Sequence, residues 1–276
     1  MEILNTIINS NKENINLLIS NKIKEKNSID KPVKQLGFIG NGKSINVHKG
    51  FIPLSTRIKY DNLALETYSM NTEDFFYEFA YFIKEYNINS KGSLIYNLEY
   101  FINKYFGYYN GNNRTTIFND NAWNTTTTDE EYFNALENNK IGDLKEKGAA
   151  LCTERSAIAQ QILSLFDIET YYCIGCIDIN GKQEPHCFNI VKRSNDYALL
   201  DYSIPVIAYN KDSTTRSYYP FVGIITPEEF NNFINTGVLK TFNNYSYSKE
   251  GKIEDKNSLR TYIIGDYKII TNKIKK

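Results

Sequence analysis

GAALCTERSAIAQQILSLFDIETYYCIG, residues 148–175, followed after a short gap by HCFNIVKRSNDYALLDYSIP, residues 186–205, is the most informative part of this 276-residue chain. In the first segment Ala157, Ile158, Ala159, Ile162, Leu163, Leu165 and Phe166 are apolar over most of a helical circumference. That pattern predicts a buried helix whose N-terminus lies at or just after Cys152. Thr170–Ile174, Phe188–Val191 and Tyr197–Leu200 are rich in β-branched and aromatic residues, and Asn180-Gly181 and Ser194-Asn195-Asp196 supply turns between them. The expected fold is therefore α+β, a buried helix carrying Cys152 packed on an antiparallel sheet.

A thiol at the start of a buried helix sits where unpaired N–H groups and the positive helix end favour thiolate over thiol. The same N–H groups suit a developing oxyanion. Such a nucleophile needs a base, and His186 follows Cys152 by 34 residues at the start of a strand; the only other histidine is His48. Asp201 closes the next strand 15 residues later. That odd spacing allows the two to sit opposite each other on one face of a hairpin, where the carboxylate would orient the imidazole.

The Gly148-x-x-x-Cys152 setting, His186 ahead of Phe188-Asn189-Ile190-Val191, and Leu199-Leu200-Asp201-Tyr202 together resemble the transglutaminase-like core of the papain-like cysteine enzymes, over about Asp143 to Pro205. The resemblance implies a Cys152 nucleophile, a His186 general base and an Asp201 orienting acid. It implies acyl transfer or hydrolysis at an amide through a thioester, with a protein or peptide as substrate and no cofactor. It does not choose among protease, deamidase, transglutaminase and peptide-N-glycanase-like amidase. The chain departs from the family where Ala149-Ala150-Leu151 precede the cysteine in place of Gly or Trp, and where Cys187-Phe188 follows the histidine. Arylamine N-acetyltransferases share this core, but their nucleophile lies in the N-terminal third behind an Arg-Gly-Gly approach that this chain lacks. In several transglutaminase-like enzymes an upstream Trp or Gln donates to the oxyanion; Trp123, 29 residues before Cys152, is the candidate here, with Asn121 and Asn124 as alternatives and a packing role as its ordinary explanation. The rival from another class is a binding or scaffolding module that keeps this fold without turnover.

Lys+Arg and Asp+Glu both total 32, so no net field exists to hold a polyanion, and nucleic-acid binding is excluded as an expectation. Met1–Lys26 shows no secretory signal and no segment reaches transmembrane length, so the sequence predicts a cytoplasmic protein with no membrane partner and reduced thiols. Cys173, Cys176, His186 and Cys187 are nominal zinc ligands. A metal is not expected, because Cys173 lies in an apolar run and adjacent His186 and Cys187 point to opposite faces of a strand. Oligomeric state leaves no mark in the sequence.

Outward from this core, residues 1–115 read as a mostly helical accessory region and 116–276 as the catalytic domain. The expectations are a helix over Ile3–Ile23, loops and short strands over Asn27–Asn71, and a helix carrying Phe75, Phe76, Phe79, Phe82 and Ile83. A further helix, Leu94–Phe106, ends at Gly107, and Tyr108–Thr128 is an irregular connection. Thr128 and Glu131 then form a capping box for a helix through Leu136.

Overall fold

The computed structural model describes residues 2–28, 34–35, 47–49, 56–59, 64–67, 73–106, 108–110, 115–118, 121–123, 150, 152–179, 181–209, 216–242 and 259–264. The chain opens with helices α1 (Glu2–Asn9) and α2 (Lys12–Ser28). The sequence predicts one helix here; the chain breaks at Ser10-Asn11 because the Asn11 side chain accepts the Asn14 backbone N–H at 2.9 Å and starts a new helix. Short strands β1 (Lys34–Gln35), β2 (Val47–Lys49), β3 (Thr56–Lys59) and β4 (Ala64–Thr67) follow, in the segment expected to hold loops and short strands.

Helix α3 (Glu73–Glu85) buries the predicted stripe Phe75, Phe76, Phe79, Phe82 and Ile83. Helix α4 (Lys91–Phe106) begins one turn earlier than its apolar pattern, since Ser90 caps it by accepting from Ser93 N at 3.1 Å. The segment read as an irregular connection instead forms a three-stranded antiparallel sheet, β5 (Tyr108–Asn110), β6 (Thr115–Phe118) and β7 (Asn121–Trp123). Tyr108-Tyr109 and Thr115-Thr116-Ile117-Phe118 are strand formers, and they outweigh the polar turn residues between them. The helix predicted through Leu136 lies outside the described residues.

Helix α5 (Cys152–Leu165) starts at the cysteine. It ends where Asp167 turns left-handed at φ 55°, with Ile168 N donating to Leu163 O at 2.9 Å. After it come β8 (Thr170–Ile179), β9 (Lys182–Lys192), β10 (Tyr197–Tyr209) and β11 (Arg216–Ile225), each antiparallel to its neighbour. Helix α6 (Pro227–Thr236), with a Thr226/Glu229 capping box and Gly237 as its left-handed cap, leads into β12 (Val238–Phe242) and β13 (Leu259–Ile264). The main sheet has eight strands in the order β1-β2-β8-β9-β10-β11, with β13 also paired to β8 and β12 paired to β13. Residues from before position 116 thus hydrogen-bond into the sheet that carries His186 and Asp201.

The architecture is α+β with helices in the N-terminal region, as the sequence predicts. One face of the sheet packs on α5 and α4, with α1–α3 beyond them; Tyr172, Ile174, Cys187, Val191, Ala198 and Leu200 belong to this core. The other face buries Tyr171, Cys173, Phe188, Ile190, Leu199 and Phe221 under Phe230 and Phe233 of α6. No described helix is long and apolar enough to cross a membrane.

Candidate active site

Cys152, Ser156 and Gln160 recur every fourth residue and so share one face of α5. Ser156 Oγ donates to Cys187 O at 3.0 Å and Gln160 Nε2 to Thr170 O at 2.6 Å, which fixes that face against β9 and β8. The rotation of the helix is thereby set by buried polar bonds, and Cys152 is carried to the end of the stripe nearest β9. The approach to the cysteine is held by Arg155, fully buried, whose Nε donates to Ala150 O at 2.9 Å. Its Nη1 donates to Asn103 Oδ1 at 3.0 Å and its Nη2 to Phe106 O at 3.3 Å, tying the start of α5 to the end of α4.

His186 lies on β9, paired with Gly175 of β8. Asp201 lies on β10, where the register with β9 is Leu200 opposite Asn189. One further step of that register sets Asp201 opposite Phe188, so His186 and Asp201 are diagonal neighbours on one face rather than directly opposed as the spacing predicts. A diagonal pair is still within side-chain reach. His186 Nε2 is 3.0 Å from Asp201 Oδ2, with the ring N–H off the line to the oxygen, so the contact is an ion pair rather than a straight hydrogen bond. The half-buried Cys152 thiol interacts with both the His186 imidazole and the Cys187 thiol. The structure therefore brings Cys152, His186 and Asp201 together.

Asp201 is the best-satisfied group of the three. Its Oδ1 accepts from Ser203 N at 3.1 Å and Ile204 N at 3.2 Å, at the point where the β10–β11 pairing shifts register. Its Oδ2 accepts from Tyr262 Oη at 2.8 Å and Arg260 Nη1 at 3.1 Å. Arg260 also donates to Ile204 O at 2.7 Å and stacks its guanidinium 4.1 Å from the Phe221 ring centre. The motifs around Cys152, His186 and Asp201 do not mark out Arg260 or Tyr262. The available signal was their alternation with Ile264 on one face of an apolar strand, since a buried arginine there requires an acidic partner. Gly175 permits their approach: a Cβ at that position would lie 1.8 Å from Ile263 O of β13.

These contacts govern the protonation states. Burial pushes Asp201 upward, but His186, Arg260 and the Ser203 N–H override it and hold the carboxyl well below the usual range. For His186 burial opposes charge, yet the Asp201 carboxylate and the neighbouring Cys152 raise it to about 10. Cys152 departs from the expectation of a helix-activated thiolate. The Cys187 thiol and burial push it above its ordinary value, and the pull of His186 only partly offsets them. Cys187, one of the nominal zinc ligands, faces α5 beside Cys152 and accepts from Tyr172 Oη at 3.4 Å.

Cys173 and Cys176 are buried and lie on opposite faces of β8, and all four cysteines are free thiols. Among the described residues, no three His, Cys, Asp or Glu side chains gather as a metal site. Trp123 is the last residue of β7, and its side chain, with those of Asn121 and His48, lies outside the described residues; Asn124 does so altogether. No family model, curated protein or solved structure matches this chain.

Proposed function

We propose that this protein is a cysteine-dependent enzyme that transfers or hydrolyses an acyl group at an amide of a protein or peptide, through a thioester on Cys152. The observation that carries the reading is a buried imidazole 3.0 Å from a carboxylate and in contact with a cysteine at the first position of a buried helix. His186 Nε2 is turned to Asp201, which leaves Nδ1 for the thiol. The Cys152 proton passes to His186, the sulfur attacks the amide carbonyl, and backbone N–H groups of the first turn of α5 face the oxyanion. The amine leaves with the proton from His186, and water or a second amine then takes the acyl group from sulfur. Asp201 stabilises the imidazolium throughout, and Arg260 and Tyr262 hold Asp201 in place.

Cys152 and His186 titrate as a pair. Because both are displaced upward, the pair gives up its first proton only as pH rises above neutrality. The upward displacement of Cys152 is also the one observation that favours the rival, a transglutaminase-like scaffold without turnover.

The two readings separate in a single experiment. The purified chain is incubated at pH 8.5 with dimethylated casein and a biotinylated primary amine, and biotin incorporation, ammonia release and peptide cleavage are followed together. Cys152→Ala is expected to abolish whichever signal the wild type gives and to leave the circular dichroism spectrum unchanged. A signal that survives in Cys152→Ala removes the proposal, and the absence of all three signals in the wild type favours the scaffold.

A further inference from the structure

A cavity of about 790 Å³ opens beside α4, between the turn joining α5 to β8 and the turn joining β9 to β10. Its inner wall is apolar, formed by Ile95, Ala198, Leu200 and Val222. Set into that wall is Glu99 of α4, only 1 % exposed. The carboxyl accepts the Phe221 backbone N–H, and its Oε1 has no partner among the described residues. An isolated carboxyl in such a wall serves no packing purpose that a Leu or Gln would not serve better, and an unpartnered buried oxygen costs free energy. At the rim Asp167 pairs with Lys26 at 2.8 Å, Arg193 with Asp196 at 3.0 Å, Lys91 donates to Asp167 O at 3.2 Å and Glu169 accepts from the Tyr171 hydroxyl, while Lys192 is exposed to solvent. Glu99 is the ionisable side chain of the lining that is buried with an unpartnered oxygen.

We propose that this cavity binds a small, mostly apolar primary amine, whose ammonium is taken by Glu99 and whose hydrocarbon part lies against Ile95, Leu200 and Val222. The volume is that of a small-molecule site, and the buried part of the lining, apolar residues around one carboxyl, is of the same kind beneath a polar rim. The ammonium is favoured over other head groups because of what surrounds Glu99. Burial and the nearby Asp201 push its carboxyl well above the usual range, while Arg260 and the Phe221 N–H pull the other way; Tyr202 is the remaining titratable neighbour. A ligand bearing its own positive charge converts this neutral acid into a carboxylate within a charge-assisted hydrogen bond, and one proton is released. A carboxylate ligand gains no such ion pair, and an alcohol gains only a neutral hydrogen bond.

The test is calorimetric titration of the full chain at pH 7 with hexylamine, hexanol and hexanoate, which requires no turnover. Hexylamine is expected to bind one per chain, at least about tenfold tighter than the other two. Repeating the titration in buffers of different ionisation heat is expected to show the release of close to one proton. Glu99→Gln is expected to weaken hexylamine by at least about tenfold, to leave hexanol unchanged and to remove the proton release. Gly92→Trp is the second variant, because a Cβ at Gly92, on the cavity lining, meets nothing within 4 Å. It is expected to keep the fold and weaken hexylamine severalfold. Hexylamine binding no tighter than hexanol, or with unchanged affinity in folded Glu99→Gln or in Gly92→Trp, overturns the proposal.

Discussion

Phe79 on α3 and Asp201 on β10 are equally withdrawn from water, and their surroundings differ in kind. Around Phe79 stand the rings of Phe82, Phe101 and Phe166, with centroids 6.2, 5.1 and 6.3 Å away and tilts from 19° to 85°. Aromatic contacts of this kind are non-directional enough that many arrangements are nearly as good. Around Asp201 stand His186, Arg260, Tyr262 and two backbone N–H groups, all at 3.2 Å or less. That cluster has one good geometry and several poor ones. The helical half is stabilised by volume and the site-bearing sheet by the positions of single atoms.

The comparison predicts where substitutions do most harm. Arg260→Met keeps the bulk of the side chain but leaves Asp201 without its guanidinium. It is expected to destabilise the fold by about 3–5 kcal/mol, because breaking a buried pair strands a charge. Equilibrium urea unfolding measures this, and a loss below about 1 kcal/mol would mean that the network is worth no more than a surface ion pair.

The next effect separates the regions by pH. His186 is raised in the folded state, so its contribution to stability is complete below its ordinary value near 6.5 and is lost as pH rises through about 10. Asp201 is lowered, so its contribution is present above the ordinary carboxylate range and is lost as pH falls below it. In Asp201→Asn both dependences shrink, and the stability difference from wild type is expected to be largest near neutrality. Phe79→Ala costs about 3–5 kcal/mol with no such profile. Urea midpoints at pH 5, 7, 9 and 10.5 for the two variants test this; parallel curves would erase the distinction between the regions.

The smallest effect concerns a contact between helical half and sheet. Lys26 of α2 bonds Asp167, at the end of α5, at 2.8 Å, and Asp167 is largely exposed. Lys26→Ala is expected to cost about 0.2–1 kcal/mol, a difference that fades in salt. A larger, salt-insensitive loss would show that this bridge orders the turn beside the Glu99 cavity.

The same contrast explains what could be read in the sequence. The aromatic stripe of α3, the buried length of α5 and the strand order after it are periodic patterns, visible one segment at a time. Cys152, His186 and Asp201 were legible because helix, strand and turn signals fix their local positions. Arg260 and Tyr262 were not, because their role comes from β13 pairing with β8 some 85 residues earlier in the chain, made possible by Gly175. No local pattern encodes that closure. The influence of Cys187 on Cys152 was hidden for a related reason. Adjacency to His186 implied the opposite face, correctly, while Cys152, at the end of α5, interacts with side chains from both faces. At Tyr108–Trp123, turn-rich composition obscured strand formers that the fold uses.

The central claim is that Cys152 and His186 form one titrating nucleophile, restrained by Cys187. It is tested most directly by the pH dependence of alkylation at Cys152, followed by mass spectrometry of the iodoacetamide-treated chain. The profile is predicted to have its midpoint above the ordinary thiol value near 8.5, to move to lower pH in Cys187→Ala and to move to higher pH in His186→Ala. If Cys152 reacts no faster than buried Cys173 at any pH, and neither substitution moves its profile, the three residues are neighbours without shared chemistry.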